Sequence, residues 1–163
     1  VVRAGSKVVI SPIVNVTYGV PVVVSFSVDN KTAVTYTVVK SDGTVIAKDV
    51  GVDELSVTLR DLGAGNYTIS IFNAEGDNYF GSNASANFTV DKAGSLVTIS
   101  DIVNVTYPDA VTVEFAVENE TSVTYTVVKS DGTVIAKDVV VDGSPVTLRD
   151  LDVGNYTDCK CVV

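Results

Sequence analysis

Val34-Thr-Tyr-Thr-Val-Val-Lys-Ser-Asp-Gly-Thr-Val-Ile-Ala-Lys-Asp-Val50 returns unchanged as Val123 to Val139. Ser130 stands against Ser41, so the offset is 89 residues, and the seventeen identical positions mark an internal duplication. Within the stretch, two β-patterned runs, Val34–Val38 and Thr44–Ala47, flank Ser41-Asp42-Gly43. Asp-Gly between such runs predicts a hairpin with a primed turn, because glycine takes positive φ without steric cost. A period this long, built from strands, describes a domain copied in tandem and not one coil of a solenoid.

Working outward, Val22, Val24, Phe26 and Val28 alternate with Val23, Ser25 and Ser27, the period of a half-buried strand. The second copy keeps the inward set as Val111, Val113, Phe115 and Val117 and varies the outward one. A first strand is expected at Lys7–Ser11, and a later one carries Leu55, Val57 and Leu59. Beyond these come a strand through Ile69 and Ile71 and a last strand, Ala84–Asp91, with Ala86, Phe88 and Val90 on one face. Leu62, Gly65 and then Tyr67 at the entry to a late strand match a tyrosine corner, in which the hydroxyl bonds to nearby backbone; Tyr156 is its copy. Seven strands with turns at this spacing, and no helical period, predict an all-β chain of two tandem immunoglobulin-like β-sandwiches.

The expected boundaries are a tail of a preceding repeat at 1–6, where Arg3-Ala-Gly-Ser6 matches Lys92-Ala-Gly-Ser95, and a first sandwich at 7–91. A linker at 92–95 and a second sandwich at 96–163 follow. Short linkers of this kind make semi-rigid strings of domains. At the offset of 89, Ala84–Asp91 maps to 173–180, so the second sandwich is expected to lack its last strand. Its end, 158–163, is atypical: Asp158 and Lys160 stand where Ile69 and Ile71 supply core, and charges there conflict with the pattern.

Composition narrows the function. The chain has no His, which removes the commonest acid–base group and metal ligand, and no Trp. No nucleophile with its base, phosphate loop or carboxylate pair is present, so no enzyme activity and no cofactor are expected. A net charge of −9 argues against nucleic acid as a partner. No apolar run is long enough to insert into a membrane as a helix. Cys159 and Cys161, in C-x-C at the end, provide no disulfide framework and no activating neighbour.

Asn15-Val-Thr-Tyr-Gly19, Leu62-Gly-Ala-Gly-Asn-Tyr-Thr68, Gly76-Asp-Asn-Tyr79 and Phe88-Thr-Val-Asp-Lys92 together resemble the Ig-like repeats of large adhesin-like surface proteins. Such repeats abound in methanogenic archaea, with similar ones in bacterial adhesins. The resemblance extends to Thr157 and implies an Ig-like sandwich on the cell surface, serving as part of a stalk. It says little about a ligand.

Eight of the ten asparagines lie in Asn-X-Ser/Thr, the acceptor pattern for N-glycosylation of an exported protein. Asn15, Asn30, Asn83, Asn87, Asn104 and Asn119 are the candidate acceptors. Asn66 and Asn155 adjoin the corner tyrosines and are expected to have least room. Turn and strand preferences, and duplication itself, also raise this count. Tyr79 and Phe80 are the available pair for stacking on a sugar, against the plainer expectation that Tyr79 folds back on the sandwich. Asp53, Glu54, Glu75, Asp77, Asp101 and Asp109 form no calcium motif and read as solvated loops. Lys7 and Asn87 are the pair available for an isopeptide crosslink, although Leu96 replaces Lys7 in the second copy.

Three functions follow in order of preference. The first is an extracellular, cell-surface stalk or adhesion module whose partners are neighbouring repeats and an unknown surface ligand. The second is a segment of an extracellular filament, in which another copy donates a strand to the open edge of the second sandwich. The third is a glycan-binding module.

Overall fold

In the computed structural model, which describes residues 1–119 and 122–162 and only the backbone of 159–162, the chain is all-β. It forms two compact units, 1–93 and 94–163. The first contains β1 (Lys7–Ile10), β2 (Val16–Thr17), β3 (Val22–Asp29), β4 (Val34–Lys40), β5 (Val45–Val52), β6 (Ser56–Leu59), β7 (Gly65–Asn73) and β8 (Ser82–Asp91). Two sheets, ordered β1-β3-β6 and β2-β8-β7-β4-β5, enclose one core.

The period-two pattern is what makes this sandwich. Along β3, Val22, Val24 and Phe26 are buried while Val23 on the other face is 57% exposed. Val38, Ile69 and Ile71 come from the facing sheet and are fully buried. Phe88 and Val90 of β8 close the core, and the Phe88 ring stacks on Tyr67 at 5.3 Å between centroids, 11° from parallel. Burying such side chains contributes roughly 1.5–3 kcal/mol each.

Three expectations need correction. Leu55 is not carried by the strand of Val57 and Leu59; it lies before β6 and is exposed, its carbonyl accepting the Phe26 N–H at 3.0 Å. The Asp42-Gly43 hairpin does not use a primed turn. Of Ser41, Asp42 and Gly43 only Gly43 has positive φ (90°), and its N–H donates to the Lys40 carbonyl at 2.9 Å. That is the three-residue loop with a glycine bulge, and the Asp42 carboxylate holds it by accepting the Thr44 N–H at 2.9 Å. Finally, the recurrent segment around Asn15-Val-Thr contributes an eighth strand, β2, which runs parallel to β8 with Val16 beside Val90.

The second unit repeats the arrangement at the offset of 89. Its strands are β9 (Leu96–Ile99), β10 (Val111–Val113), β11 (Phe115–Glu118), β12 (Val123–Lys129), β13 (Val134–Val141), β14 (Val146–Leu148) and β15 (Tyr156–Val162). The duplicated stretch folds identically in both units. Asp131 accepts the Thr133 N–H at 2.9 Å, Gly132 has φ 90°, and Asp49 and Asp138 both take positive φ (49° and 50°) at matching bulges. These bulges twist exposed strands β5 and β13, a device that blunts a sheet edge. One strand of the first unit, β3, is divided in the second into β10 and β11 at Glu114.

Despite its charged residues, the atypical end is a strand. The backbone of β15 pairs with β12 from Tyr156↔Lys129 to Val162↔Val123, the same register as Tyr67↔Lys40 to Asn73↔Val34. Backbone pairing with an identical β12 sets the register here, and side-chain chemistry does not override it. The side chains of Cys159, Lys160 and Cys161 lie outside the described part. Among the described residues, no strand occupies the place of β8 in this unit, and the counterpart of β2 is not formed either. The second follows from the first, since β2 pairs only with β8.

Candidate functional site

The difference between the units opens a groove. In the first, Val22, Leu59, Leu62, Tyr67 and Ile69 are buried beneath β8. Their counterparts Val111, Leu148, Leu151, Tyr156 and Asp158 are only partly buried and line a cavity of about 530 Å³ together with Val113 and Val127. The cavity's size falls in the range of about 300–1,000 Å³ typical of ligand pockets. β15 ends its sheet, whereas β7 is flanked by β8. Asp109 and Asp152 also border the groove, where the first unit has Val20 and Gly63.

The corner tyrosines show what the covering strand does. The Tyr67 hydroxyl donates to the Gly63 carbonyl at 2.6 Å, and its ring is 3% exposed under Phe88. Tyr156 makes the same bond to Asp152 at 2.5 Å but is half-buried. Lys40 and Lys129 place their ammonium groups 5.8 and 5.9 Å from the two ring centroids.

Asn15, Asn30, Asn83, Asn87, Asn104 and Asn119 are all exposed, as are Asn66 and Asn155. Their amides differ in what they do. Asn30 donates its Nδ2, the atom a glycan would take, to the Gly5 carbonyl at 2.7 Å, and Asn119 does the same to Gly94. Thr121 of the Asn119 acceptor pattern lies outside the described residues. Asn15 uses Oδ1 to accept the Thr89 N–H at 2.9 Å. Asn87 and Asn66 accept the Thr68 and Thr89 hydroxyls, both at 2.8 Å, in a polar ladder on the outer face of β7 and β8.

Tyr79 is half-buried, tied by a parallel bridge to Ala4, and Phe80 beside it is 51% exposed. The structure thus offers one open ring there, not a two-ring platform. Ala4 and Ser6 pack on this same loop, the Ser6 hydroxyl bonding to the Phe80 carbonyl and to Ser82, both at 2.7 Å, and Arg3 pairs with Glu75. Residues 1–6 therefore contact the first sandwich directly. Asp53, Glu54, Glu75, Asp77, Asp101 and Asp109 are exposed, and among the described residues no three acidic, His or Cys side chains gather as a metal site. Lys7 and Asn87 are both exposed, and the Asn87 amide oxygen accepts the Thr68 hydroxyl at 2.8 Å.

One structural residue belongs to no motif of the sequence. Asn73, 2% exposed, accepts the Thr32 N–H at 2.9 Å and donates to the Asn30 carbonyl at 3.2 Å, pinning the β3–β4 loop to the end of β7. Its signal was positional, a polar residue continuing the inward series Tyr67, Ile69, Ile71.

No protein-family model matches the chain, and no curated protein does. Among solved structures it is similar to a two-domain fibronectin type-III segment of chicken tenascin, at 20% identity and a TM-score of 0.41, covering 96% of this chain and 81% of that one. It is also similar to the crystal structure of Dpr11 IG1 bound to DIP-gamma IG+IG2, at 17% identity and a TM-score of 0.34, covering 95% and 96%. The chain is a tandem of two immunoglobulin-like β-sandwiches, the second lacking its last strand among the described residues. Among those residues no helix is long and apolar enough to cross a membrane.

Proposed function

We propose that this chain is a non-enzymatic segment of an extracellular, cell-surface adhesin-like protein, in which repeated Ig-like sandwiches act as a stalk. The observation that carries this reading is where the chain enters and leaves a unit. At one end, the Ala4 backbone bonds to Asn78 and Phe80 and the Ser6 hydroxyl to Phe80 and Ser82, next to the start of β8. At the other, β8 finishes beside β2, the Tyr18 N–H donating to the Asp91 carbonyl at 2.8 Å. Entry and exit are therefore separated by the ten residues of β8, about 30 Å at ~3.3 Å per residue. A unit threaded end to end adds its full length to a string, which suits a spacer. The resemblance to adhesin-like repeats and the exposed sequon asparagines point to the same setting outside the cell.

Chains carrying one, two, three and four copies of residues 7–95 test the reading by small-angle scattering. The maximum dimension should grow by about 30–40 Å per copy, set by the same strand length. A dimension that stops growing after the second copy would mean that the units fold back on one another, and the stalk reading fails.

A further inference from the structure

We propose that Phe72 and its neighbours on the outer face of the five-stranded sheet form a seat for one pyranose ring, the first sugar of a glycan carried by Asn83. Resting on the extracellular setting proposed above, this names the acceptor that the fold suits best and gives the sugar a role in holding the first sandwich together.

Strand pairing brings the two residues together. Phe72 of β7 stands opposite Asn83 of β8 on one side and Thr35 of β4 on the other, and Thr35 stands opposite Gly51 of β5. Alternation turns Phe72 outward, since Ile71 and Asn73 beside it are buried, and the residue is 38% exposed. Asn83 is exposed on the same face, with Ala84 next to it packed against the core. Side chains directly opposite on antiparallel strands have their Cβ atoms about 4.5–5.5 Å apart, so a sugar on the Asn83 amide starts within reach of the ring. The next row holds only Thr37, Ser70 and Ser85, the two serine hydroxyls sharing a hydrogen bond of 2.8 Å. None of Thr35, Thr37, Ser70 and Ser85 is charged, in a chain of net charge −9. A neutral sugar finds hydroxyl partners there, and its C–H face covers apolar ring surface that water otherwise wets.

Among the acceptor asparagines of this unit, Asn83 gives up least. A glycan on Asn30 would disturb the Nδ2 bond to the Gly5 carbonyl. Asn15, Asn66 and Asn87 hold their amides against the Thr89 N–H, the Thr89 hydroxyl and the Thr68 hydroxyl. The Asn83 amide makes no hydrogen bond among the described residues, and Ser85 completes its acceptor pattern on the same outward face. In the transfer, Asn83 Nδ2 forms a bond to C1 of a sugar supplied as a glycosyl diphosphate lipid by an external transferase. The bond from C1 to the phosphate oxygen breaks, the lipid diphosphate leaves with the electron pair, and the amide nitrogen gives one proton to a base. Tethered in this way, the sugar meets Phe72 at high effective concentration, so a contact too weak to hold a free sugar still counts.

Two measurements on the full chain test this. In the first, the chain is secreted from a host whose transferase reads Asn-X-Ser/Thr, and its glycopeptides are mapped by mass spectrometry. Asn83 should carry sugar, and a bare Asn83 overturns the proposal. The length increments that test the stalk do not depend on sugar, so the two readings fail separately. In the second, semisynthesis places a single N-acetylglucosamine on Asn83, with Phe72 or with Phe72→Ala, and each chain is compared with its sugar-free form in urea by β7 and β4 amide signals. With Phe72 the sugar should raise the folding constant of the first unit by about threefold to tenfold, the scale of covering an exposed ring, and its C–H protons should move upfield. With Phe72→Ala both effects should vanish, whatever that change costs by itself. No gain, or the same gain without the ring, overturns the seat. Free N-acetylglucosamine titrated into the unmodified chain should not saturate at millimolar concentration. Saturable shifts at Phe72 would assign the seat to a soluble or neighbouring glycan and overturn Asn83 as its source.

Discussion

Replacing Phe88 by alanine removes the side chain that seals the first sandwich. Phe88 is 3% exposed, stacks on Tyr67 and lies among Val90, Ile69 and Leu62 in one core cluster. Phenylalanine-to-alanine changes at such sites cost about 3–5 kcal/mol, combining lost burial with the cavity left behind. The upper half of that range is expected here, because the ring is also half of an aromatic stack worth about 0.5–1.5 kcal/mol. In a unit of this size, 1 kcal/mol corresponds to roughly 4–8 °C, so the melting temperature of the first unit should fall by more than about 16 °C. Urea titration followed by amide cross-peaks assigns the loss to a unit: β7 and β4 signals should disappear at much lower urea while β12 signals keep their midpoint. A loss under about 1 kcal/mol would refute the claim that β8 closes this core.

Tyr67→Phe deletes the hydroxyl bond to Gly63 and should cost about 1 kcal/mol, whereas Tyr156→Phe, with a half-buried ring, should cost less than about half of that in paired denaturation curves. Asn73→Ala should destabilise the first unit by about 0.5–1.5 kcal/mol, because the part-buried bond from the Thr32 N–H loses its acceptor, and exchange of the Thr32 amide should accelerate. The Thr44 and Thr133 hydrogen bonds hold the Asp42 and Asp131 carboxyls below the ordinary aspartate value. A pKa depressed by folding gives stability that is present above the unfolded value and lost as pH falls through the folded one. The contribution therefore fades below about pH 4, and Thr44→Val, which removes the hydroxyl but keeps the N–H, should move the Asp42 titration by NMR upward only part of the way to the ordinary value.

Alternation is legible wherever one face of a strand is buried, which is why β3, β7 and β8 could be read from Val22–Val28, Ile69–Ile71 and Ala86–Val90. It is silent at edges. β5 runs on to Val52 through a bulge at Asp49 because its side chains face solvent on an outer strand, where nothing forces a period. β2, two residues long, exists only through its pairing with β8, a long-range partner that local sequence does not announce. At the hairpin, Asp-Gly marks a turn but not its type. The choice lies in the loop length and in the Asp42 carboxylate turning back to accept the Thr44 N–H. The missing cover of the second unit could be inferred from register alone. The shape of the groove could not, since it depends on how far Tyr156 and Leu148 stay open when no strand covers them.

The most direct measurement of the central claim, one sandwich closed and one with an open edge, is residue-resolved amide hydrogen exchange along β7 and β15. With β4 on one side and β8 on the other, β7 should be protected at every residue from Asn66 to Phe72. Along β15 protection should alternate, slow for amides directed at β12 and fast for those on the other side. Uniform protection of β15 matching that of β7 would contradict the account.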